Sequence, residues 1–518
     1  MRPLLTVLFA AALAAPAGAM PPPLPSVADR SMTELQADIA SGRATAESLA
    51  SAYLARARAI DPQLRSIIAL NPNALSQANA ADQARRKGAA AGPLFGMAIL
   101  IKDNIETLDP MATTAGSLAL AENVTGRDSP VVARLRAAGV VVLGKANLSE
   151  WANIRSNASL SGWSAVGGQA RNPYDPARST CGSSAGSGAA VAAGLAAAAV
   201  GTETDGSITC PAAINGLVGL KPTVGLVSRS FIVPISDSQD TAGPMTRTVL
   251  DAANMLTVMA GSDPKDPATA EADGRKGDYA AGLRRDALKG VRVGVMRYAA
   301  GFHRETDVVF EQALAALKAQ GAILVDVPDF PNRREIGANE LVVLLTELKV
   351  GMNAYLASTD PTKVKVRSLA DVIAFNTANA SREMPLFGQE LFEMAEKTTG
   401  LADPAYLKAR DDARRMAGPE GIDALLAKHD VAVLVGPTLG PSWLIDPVLK
   451  DRYVGGGAGN AAAVAGYPHL TVPMGQVGGL PVGLSFVGPK WSEARLLAYG
   501  FAYEQATQMR RPPTLSVN

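Results

Sequence analysis

The chain has 518 residues, of which 47% are hydrophobic and 19% charged, and its formal net charge is +1. This length and composition suit one large hydrophobic core or two domains, and they exclude a fibrous or disordered chain. Nucleic-acid binding needs concentrated Lys and Arg. Because no basic stripe is present, we expect no nucleic-acid partner.

The N-terminus has the layout of a secretory signal peptide. Arg2 precedes an apolar run over residues 4–15, and Ala17-Gly18-Ala19 is a small-residue cleavage pattern. The apolar run is too short to span a bilayer. We therefore predict that residues 1–19 are a signal peptide and that the protein is exported to the periplasm or the extracellular space. An uncleaved N-terminal anchor helix is the alternative.

Helix and strand patterns alternate along the rest of the chain. A helix is predicted over 31–59, with Ser31 or Thr33 as its N-cap, and a short strand over 97–101. Helices that lead into buried strands are predicted over 131–143, 189–200 and 308–325, and further short strands over 431–435, 470–473 and 484–487. This alternation predicts an α/β fold with an internal sheet.

No linker or repeat interrupts residues 20–518, so we predict one domain. Its segment from about 278 to 430 is more charged and more helical than the rest. We predict that this segment is a variable region on the substrate side.

The densest chemical signal lies between Thr180 and Pro222. Glycines and small hydroxyl residues dominate 180–188 and 201–208, which lets backbone N–H groups converge on an anion. An oxyanion hole requires that arrangement, although a Gly/Ser-rich turn before a packed helix has the same composition. The apolar stretch at 185–201 is predicted to be a buried helix rather than a membrane span, because it contains Gly and Ser.

Two cysteines, Cys181 and Cys210, lie in or beside this signal. Two are too few for a disulfide framework. They either form one bridge in an oxidising compartment or are a pair of small buried residues.

Two serine chemistries fit the signal. Residues 182–186 match G-x-S-x-G, with Ser184 as a nucleophile that needs a histidine base. The candidate bases are His303, His429 and His469, and His469 lies in an apolar segment typical of packing. The second chemistry uses lysine as the base.

The lysine chemistry is indicated by a resemblance that covers nearly all of residues 20–518. The segments that carry it are 94–104, 113–117, 144–147, 171–176, 180–188, 201–222, 240–244 and 479–484. In this order they resemble the conserved blocks of the amidase signature family. The resemblance implies that family's fold, a central mixed and mostly parallel sheet covered by helices on both faces.

The resemblance also implies the roles of individual residues. Ser207 is the expected nucleophile, Ser183 the bridging serine after a cis peptide at Gly182-Ser183, and Lys102 the base. The oxyanion hole is expected to consist of the backbone amides of Thr204, Asp205, Gly206 and Ser207. A lysine can be such a base because burial disfavours its charged form. No metal cluster or cofactor fingerprint is recognisable, so we expect neither a metal nor a cofactor.

Departures from the family pattern bear on the substrate. The family has Gly-Gly before the nucleophile and Arg two residues after it, whereas this chain has Asp205-Gly206 and Thr209, and Cys181 replaces a usual Gly. Segments 203–216, 368–371, 386–390 and 400–404 are similar to those of bacterial peptide amidases. That similarity implies hydrolysis of the C-terminal amide of peptides with release of ammonia. We also expect a monomer, with helices at 370–417 shaping the peptide side of the cleft.

Three other functions remain open from the sequence. One is a broad-specificity aliphatic or aromatic amidase acting on other small amides. Another is the glutaminase subunit of a tRNA-dependent amidotransferase, which the leader disfavours. The third is a non-catalytic binding protein, which the presence of Lys102, Ser183 and Ser207 disfavours.

Overall fold

The computed structural model describes residues 26–89 and 92–515, so the predicted signal peptide, 1–19, lies outside the described residues. The strands are β1 Ile67–Leu70, β2 Ala98–Lys102, β3 Val141–Ala146, β4 Trp163–Ser164, β5 Gly168–Gln169, β6 Ala198–Glu203, β7 Val218–Lys221, β8 Thr241–Thr246, β9 Arg292–Met296, β10 Ile323–Val327, β11 Val433–Pro437, β12 His469–Val477 and β13 Leu480–Val487.

The helices are α1 Met32–Ala40, α2 Ala46–Leu64, α3 Ala74–Arg86, α4 Pro130–Ala137, α5 Ala185–Ala192, α6 Thr209–Ile214, α7 Val249–Met259, α8 Ala272–Arg275, α9 Arg304–Ala319, α10 Arg333–Ala357, α11 Leu369–Ala378, α12 Ala380–Glu383, α13 Glu390–Glu396, α14 Pro404–Ala417, α15 Ala424–Lys428, α16 Asn460–Ala465 and α17 Glu493–Thr507.

One large mixed sheet organises the fold, in the order β1-β3-β2-β6-β8-β7-β12-β13-β11-β9-β10. Its parallel pairs form two groups, β3-β2-β6 and β11-β9-β10. Antiparallel pairs join these groups through the middle of the sheet and add β1 at one edge. The predicted mixed α/β sheet flanked by helices is confirmed, with its parallel pairing concentrated in these two groups.

The small residues of α5 allow this helix to lie in the core. Every residue of α5 is buried, and a side chain at Gly186 would collide with the backbone of Ser66 and Asn147. The stretch predicted to be buried rather than membrane-spanning thus forms a short helix followed by β6. None of the helices within 26–89 and 92–515 is long and apolar enough to cross a membrane.

Two predicted elements differ from the structure. The helix predicted over 31–59 is two helices, α1 and α2, because the chain turns at Gly42, where φ is +75°. Ser31 is the N-cap of α1 and forms a capping box with Glu34. The strand at the end of 308–325 is not buried. It is β10, the last strand of the sheet, and Ile323 in it is exposed because no further strand covers that edge.

The predicted helical segment at 278–430 contains two kinds of structure. Its first part carries β9 and β10, which belong to the sheet, and α9, which connects them. Helices predominate only from the start of α10 at Arg333 onward. The beginning of α10 borders one of the two cavities described below.

Candidate active site

Lys102 ends β2 and is completely buried. Its Nζ donates hydrogen bonds to Ser183 Oγ at 2.7 Å, Thr202 Oγ1 at 2.8 Å and the Thr202 carbonyl oxygen at 3.2 Å. Among the described residues no carboxylate forms an ion pair with it. Lys145, also completely buried, differs because it pairs with Asp103 at 3.2 Å. Of these two buried lysines, Lys102 is the one held entirely by neutral oxygens.

This environment changes the acidity of Lys102. Burial lowers the pKa of its ammonium group to about 7, even though the carboxylates of Asp240 and Glu203 act in the opposite direction. A substantial fraction of Lys102 is therefore neutral near pH 7. A neutral amine in contact with a serine hydroxyl can accept a proton from it.

Ser183 lies where the loop enters α5. The expected cis peptide at Gly182-Ser183 is present, and Ser183 is completely buried. A side chain on Gly182 would collide with Ser149 Oγ, and Ser149 N donates to the Ser183 carbonyl at 3.0 Å. These contacts hold the backbone around Ser183, so that its hydroxyl stays within hydrogen-bonding distance of Lys102 Nζ.

Ser207 lies in a loop between β6 and α6. The backbone amide of Ser184 donates to the Ser207 carbonyl at 3.2 Å, which places the two serine segments side by side. No hydrogen bond joins the hydroxyls of Ser183 and Ser207 within the described part of the chain. The structure thus brings Lys102 and Ser183 into direct contact and places Ser207 beside that pair.

The backbone of this loop is available to bind an anion. The amide N–H groups of Thr204, Asp205, Gly206 and Ser207 donate no hydrogen bond to any other described residue. Gly206 has a φ of +76°, a conformation that favours glycine, and a side chain there would meet open space. Unpaired N–H groups beside a serine are what an oxyanion hole requires.

Glu203 holds the loop at 204–208 through hydrogen bonds. The Gly/Ser motif alone does not indicate this role. Its Oε2 accepts hydrogen bonds from Ile208 N at 2.7 Å and Thr209 N at 2.9 Å. Glu203 is the last residue of β6 and is buried. It therefore ties the end of the strand to the start of α6 across Ser207.

The two cysteines form a disulfide bond, with 6.1 Å between their Cα atoms. Both are buried. Cys181 directly precedes Gly182-Ser183, and Cys210 follows Ser207 by three residues. The bond therefore links the segment of the bridging serine to the segment of the expected nucleophile.

The histidine-dependent alternative has no support in the geometry. Ser184 Oγ donates to the Thr202 carbonyl at 3.1 Å and accepts from Thr202 N at 3.2 Å. His469 Nε2 contacts Ser485 Oγ at 2.7 Å rather than either serine of the loop. Burial and the nearby Lys221 charge lower the pKa of His469 to about 3, so its ring is neutral.

A cavity of about 320 Å³, here called the catalytic cavity, opens beside the serines. Its lining residues include Gly182, Gly206, Leu439, Tyr453 and the glycines of 455–459. The helices at 370–417, which are expected to shape the peptide side of the cleft, supply no lining residue of the catalytic cavity, whose far wall comes from the loops before α16. Those helices pack in layers on α10 instead, where their apolar faces are buried.

The glycines at 455–457 make that wall possible. Gly455, Gly456 and Gly457 all have φ between +88° and +115°, and side chains on the first two would collide with Phe302 and Leu439. The Gly-Gly-Gly run was the sequence signal for this wall. Glycine has no reactive side chain, so this run does not by itself indicate a functional site.

Asp205, Glu340 and Asn460 form a polar group at the catalytic cavity. Asn460 Nδ2 donates to Asp205 Oδ2 at 2.9 Å and to Glu340 Oε2 at 3.0 Å. Burial and the neighbouring charge of Asp205 raise the pKa of Glu340. Desolvation at the cavity wall and the charge of Glu203 raise the pKa of Asp205. Asp205 is itself solvent-exposed at the cavity wall, so this wall is acidic.

Known proteins are similar to this chain in sequence and in fold over nearly its whole length. The family model described as Amidase matches residues 48–497. The crystal structure of native peptide amidase from Stenotrophomonas maltophilia superposes with a TM-score of 0.88 and 53% identity, covering 95% of this chain and 99% of that one.

Two curated relatives widen the comparison. A probable amidase of Arabidopsis thaliana is 40% identical, with 94% of this chain and 92% of the relative covered. A glutamyl-tRNA(Gln) amidotransferase protein of Chloroflexus aurantiacus is 36% identical, with 92% and 96% covered. With a family model matched over most of its length and a buried lysine–serine pair beside an open cavity, the chain belongs to the amidase signature family and is a hydrolase that acts on amides.

Proposed function

We propose that this protein removes the C-terminal carboxamide of peptides, with Ser207 as nucleophile, Ser183 as proton relay and Lys102 as base. The observation that carries the proposal is the 2.7 Å contact between the buried Lys102 Nζ and Ser183 Oγ. The likeness to a peptide amidase at 53% identity supports the choice of substrate.

The first half of the reaction forms an acyl-enzyme. Ser207 Oγ attacks the amide carbon while its proton passes to Ser183 Oγ, and the proton of Ser183 passes to Lys102 Nζ. The negative oxygen of the tetrahedral intermediate accepts hydrogen bonds from the unpaired N–H groups of 204–207. The relay returns a proton to the amide nitrogen, the C–N bond breaks, and ammonia leaves.

The second half uses water in place of the amine. Water attacks the acyl carbon and gives its proton to the relay, and the bond to Ser207 Oγ breaks as that oxygen recovers a proton. The product is a peptide with a free carboxylate. Since Asp205 is exposed on the cavity wall, its negative charge favours departure of that carboxylate.

A single peptide tests the substrate class. It carries a C-terminal amide, one internal Gln and several peptide bonds, and its products are identified by mass spectrometry. We expect loss of the terminal amide alone, because a cleft closed beyond the scissile nitrogen admits –NH2 and excludes a continuing chain. Internal cleavage, Gln deamidation or turnover of small non-peptide amides only would contradict the proposal.

A glutaminase component of an amidotransferase is the second candidate, because the likeness to the amidotransferase protein covers 92% of this chain. That function predicts release of ammonia from free glutamine. Assaying glutamine beside a peptide amide separates the two candidates, and we expect turnover of the peptide amide only.

We also propose that the protein is exported as a monomer after cleavage following Ala19. The leader pattern supports export, and so does the Cys181–Cys210 disulfide, since such bonds persist in oxidising compartments. N-terminal sequencing of the extracytoplasmic protein should begin at Met20, and light scattering should give the mass of one chain. An intact Met1 on cytoplasmic protein would contradict export.

A further inference from the structure

A second cavity adjoins the catalytic cavity and has the opposite charge. This outer cavity has a volume of about 550 Å³ and shares Gly456, Gly457 and Asn460 with the catalytic cavity. Its other walls include Arg333 and Arg334, the first two residues of α10, and the ring of Tyr298. The two cavities therefore adjoin along the residues that they share, and together they are here called the groove.

The two arginines of the outer cavity are free to bind a ligand. Both are exposed, and neither side chain forms an ion pair or a hydrogen bond with any residue of 26–89 or 92–515. The guanidinium carbon of Arg333 lies 5.6 Å from the centroid of the Tyr298 ring, and that ring packs against Phe330 at 5.8 Å. An aromatic face orients a guanidinium while leaving its N–H groups available.

The position of the arginines within their helix also favours a ligand over a structural role. They lie in the first turn of α10, where the helix dipole favours acidic residues and disfavours cations. Helix stability therefore does not account for them. A carboxylate bound between two guanidinium groups would satisfy the fork geometry of both.

We propose that the outer cavity is a subsite for an acidic residue of the peptide amide, whose side-chain carboxylate binds Arg333 and Arg334. The inference rests on the proposed function, since only a peptide extends from the scissile amide into a second cavity. Asn460 lines both cavities and lies between the two charges, with the carboxylate of Asp205 on one side and the arginines on the other. The groove thus excludes acidic residues beside the amide and selects them farther upstream.

The test uses acetylated five-residue peptide amides built on alanine, with a single Glu placed at each position in turn. Each peptide has a matched peptide with Gln at the same position. At one upstream position we expect Glu to raise kcat/KM about tenfold over Gln, mainly through KM, which is the effect of one charge-assisted hydrogen bond. The preference should weaken with added salt.

The double variant Arg333→Gln/Arg334→Gln should bring the ratio of Glu to Gln peptides close to one. Arg284→Gln, an exposed arginine outside both cavities, is the matched control and should keep the ratio. Equal rates for Glu and Gln peptides at every position, or a preference that survives the double variant, would overturn the subsite alone. Failure of every peptide amide, with small amides still hydrolysed, would overturn the subsite and the proposed function together.

Discussion

The catalytic centre and the walls of the groove are built from opposite kinds of sequence. Lys102 and Ser183 are completely buried, the first at the end of an apolar strand and the second in a dense Gly/Ser motif. Asp205, Arg333 and Arg334 are exposed, and the two arginines belong to no motif. Under the proposed function, burial sets the reactivity of the catalytic centre, whereas exposed charge sets the choice of substrate. Each substitution below removes a feature of either the buried centre or the exposed wall.

Removing the nucleophile should have the largest effect. Ser207→Ala is expected to lower kcat at least about 10⁴-fold on every amide, because no acyl-enzyme can form. Initial rates of ammonia release measure the loss. His469→Ala is the contrast, since this histidine contacts Ser485 and neither serine of the loop, and it should lose far less. A folded Ser207→Ala protein with substantial turnover would contradict the assignment.

Removing the relay should come next. Lys102→Ala and Ser183→Ala are each expected to lower kcat about 10³-fold, within the range known for general bases. Because the two residues are hydrogen-bonded and act as one unit, the double variant should lose little more than either single variant. Steady-state rates of the three variants test this, with circular dichroism as the control for folding. Fully multiplicative losses would mean that the residues act independently.

Opening the disulfide should have a moderate effect. Cys181→Ala/Cys210→Ala is expected to lower the free energy of unfolding by about 3 kcal/mol, the usual contribution of such a bond. It should also lower kcat more than it changes KM, because the two serine segments are no longer tied together. Denaturant unfolding and steady-state kinetics measure both effects. Wild-type protein in a thiol reductant should match the variant, and unchanged stability and kcat would contradict this role.

Neutralising the acidic wall should have the smallest effect. Asp205→Asn keeps the shape of the side chain and removes its charge, so an acidic residue next to the scissile amide is repelled less. We expect kcat/KM for such peptides to rise about threefold, in line with a partly solvated charge pair. Peptides with a neutral residue at that position provide the reference. A selective loss for the acidic peptides would show that Asp205 is not repulsive.

The expected roles of Lys102, Ser183 and Ser207 came from the resemblance to the amidase signature family, whereas the Gly/Ser run around Ser183 is visible in the sequence itself. Close packing around Ser183 demands small residues in a fixed order, and such an order is visible as a motif. The strands β2, β3 and β6 were predictable for the same reason, because every residue in them is buried. The sequence alone does not decide whether Cys181 and Cys210 pair, since pairing depends on the distance between them in the fold.

The groove depends on residues that are far apart in sequence and that obey no local rule. Glu340 and Asp205 meet through Asn460 only because α10 and α16 pack together. The sequence predicts that the helices at 370–417 shape the cleft because they lie in a variable region. In the structure their apolar faces pack on α10. Tertiary packing, which local patterns do not encode, determines which part of 278–430 borders the outer cavity.

The pH dependence of kcat/KM, measured on any amide that the protein hydrolyses, tests the central claim most directly. Burial lowers the pKa of Lys102 to about 7, and only the neutral amine accepts a proton. The account therefore predicts a plateau above that pH and a fall of about tenfold per pH unit below it. This fall at low pH should be absent from the pH profile of the residual activity of Lys102→Ala. A profile that stays flat from pH 5 to pH 8 in the wild-type protein would contradict a lysine base.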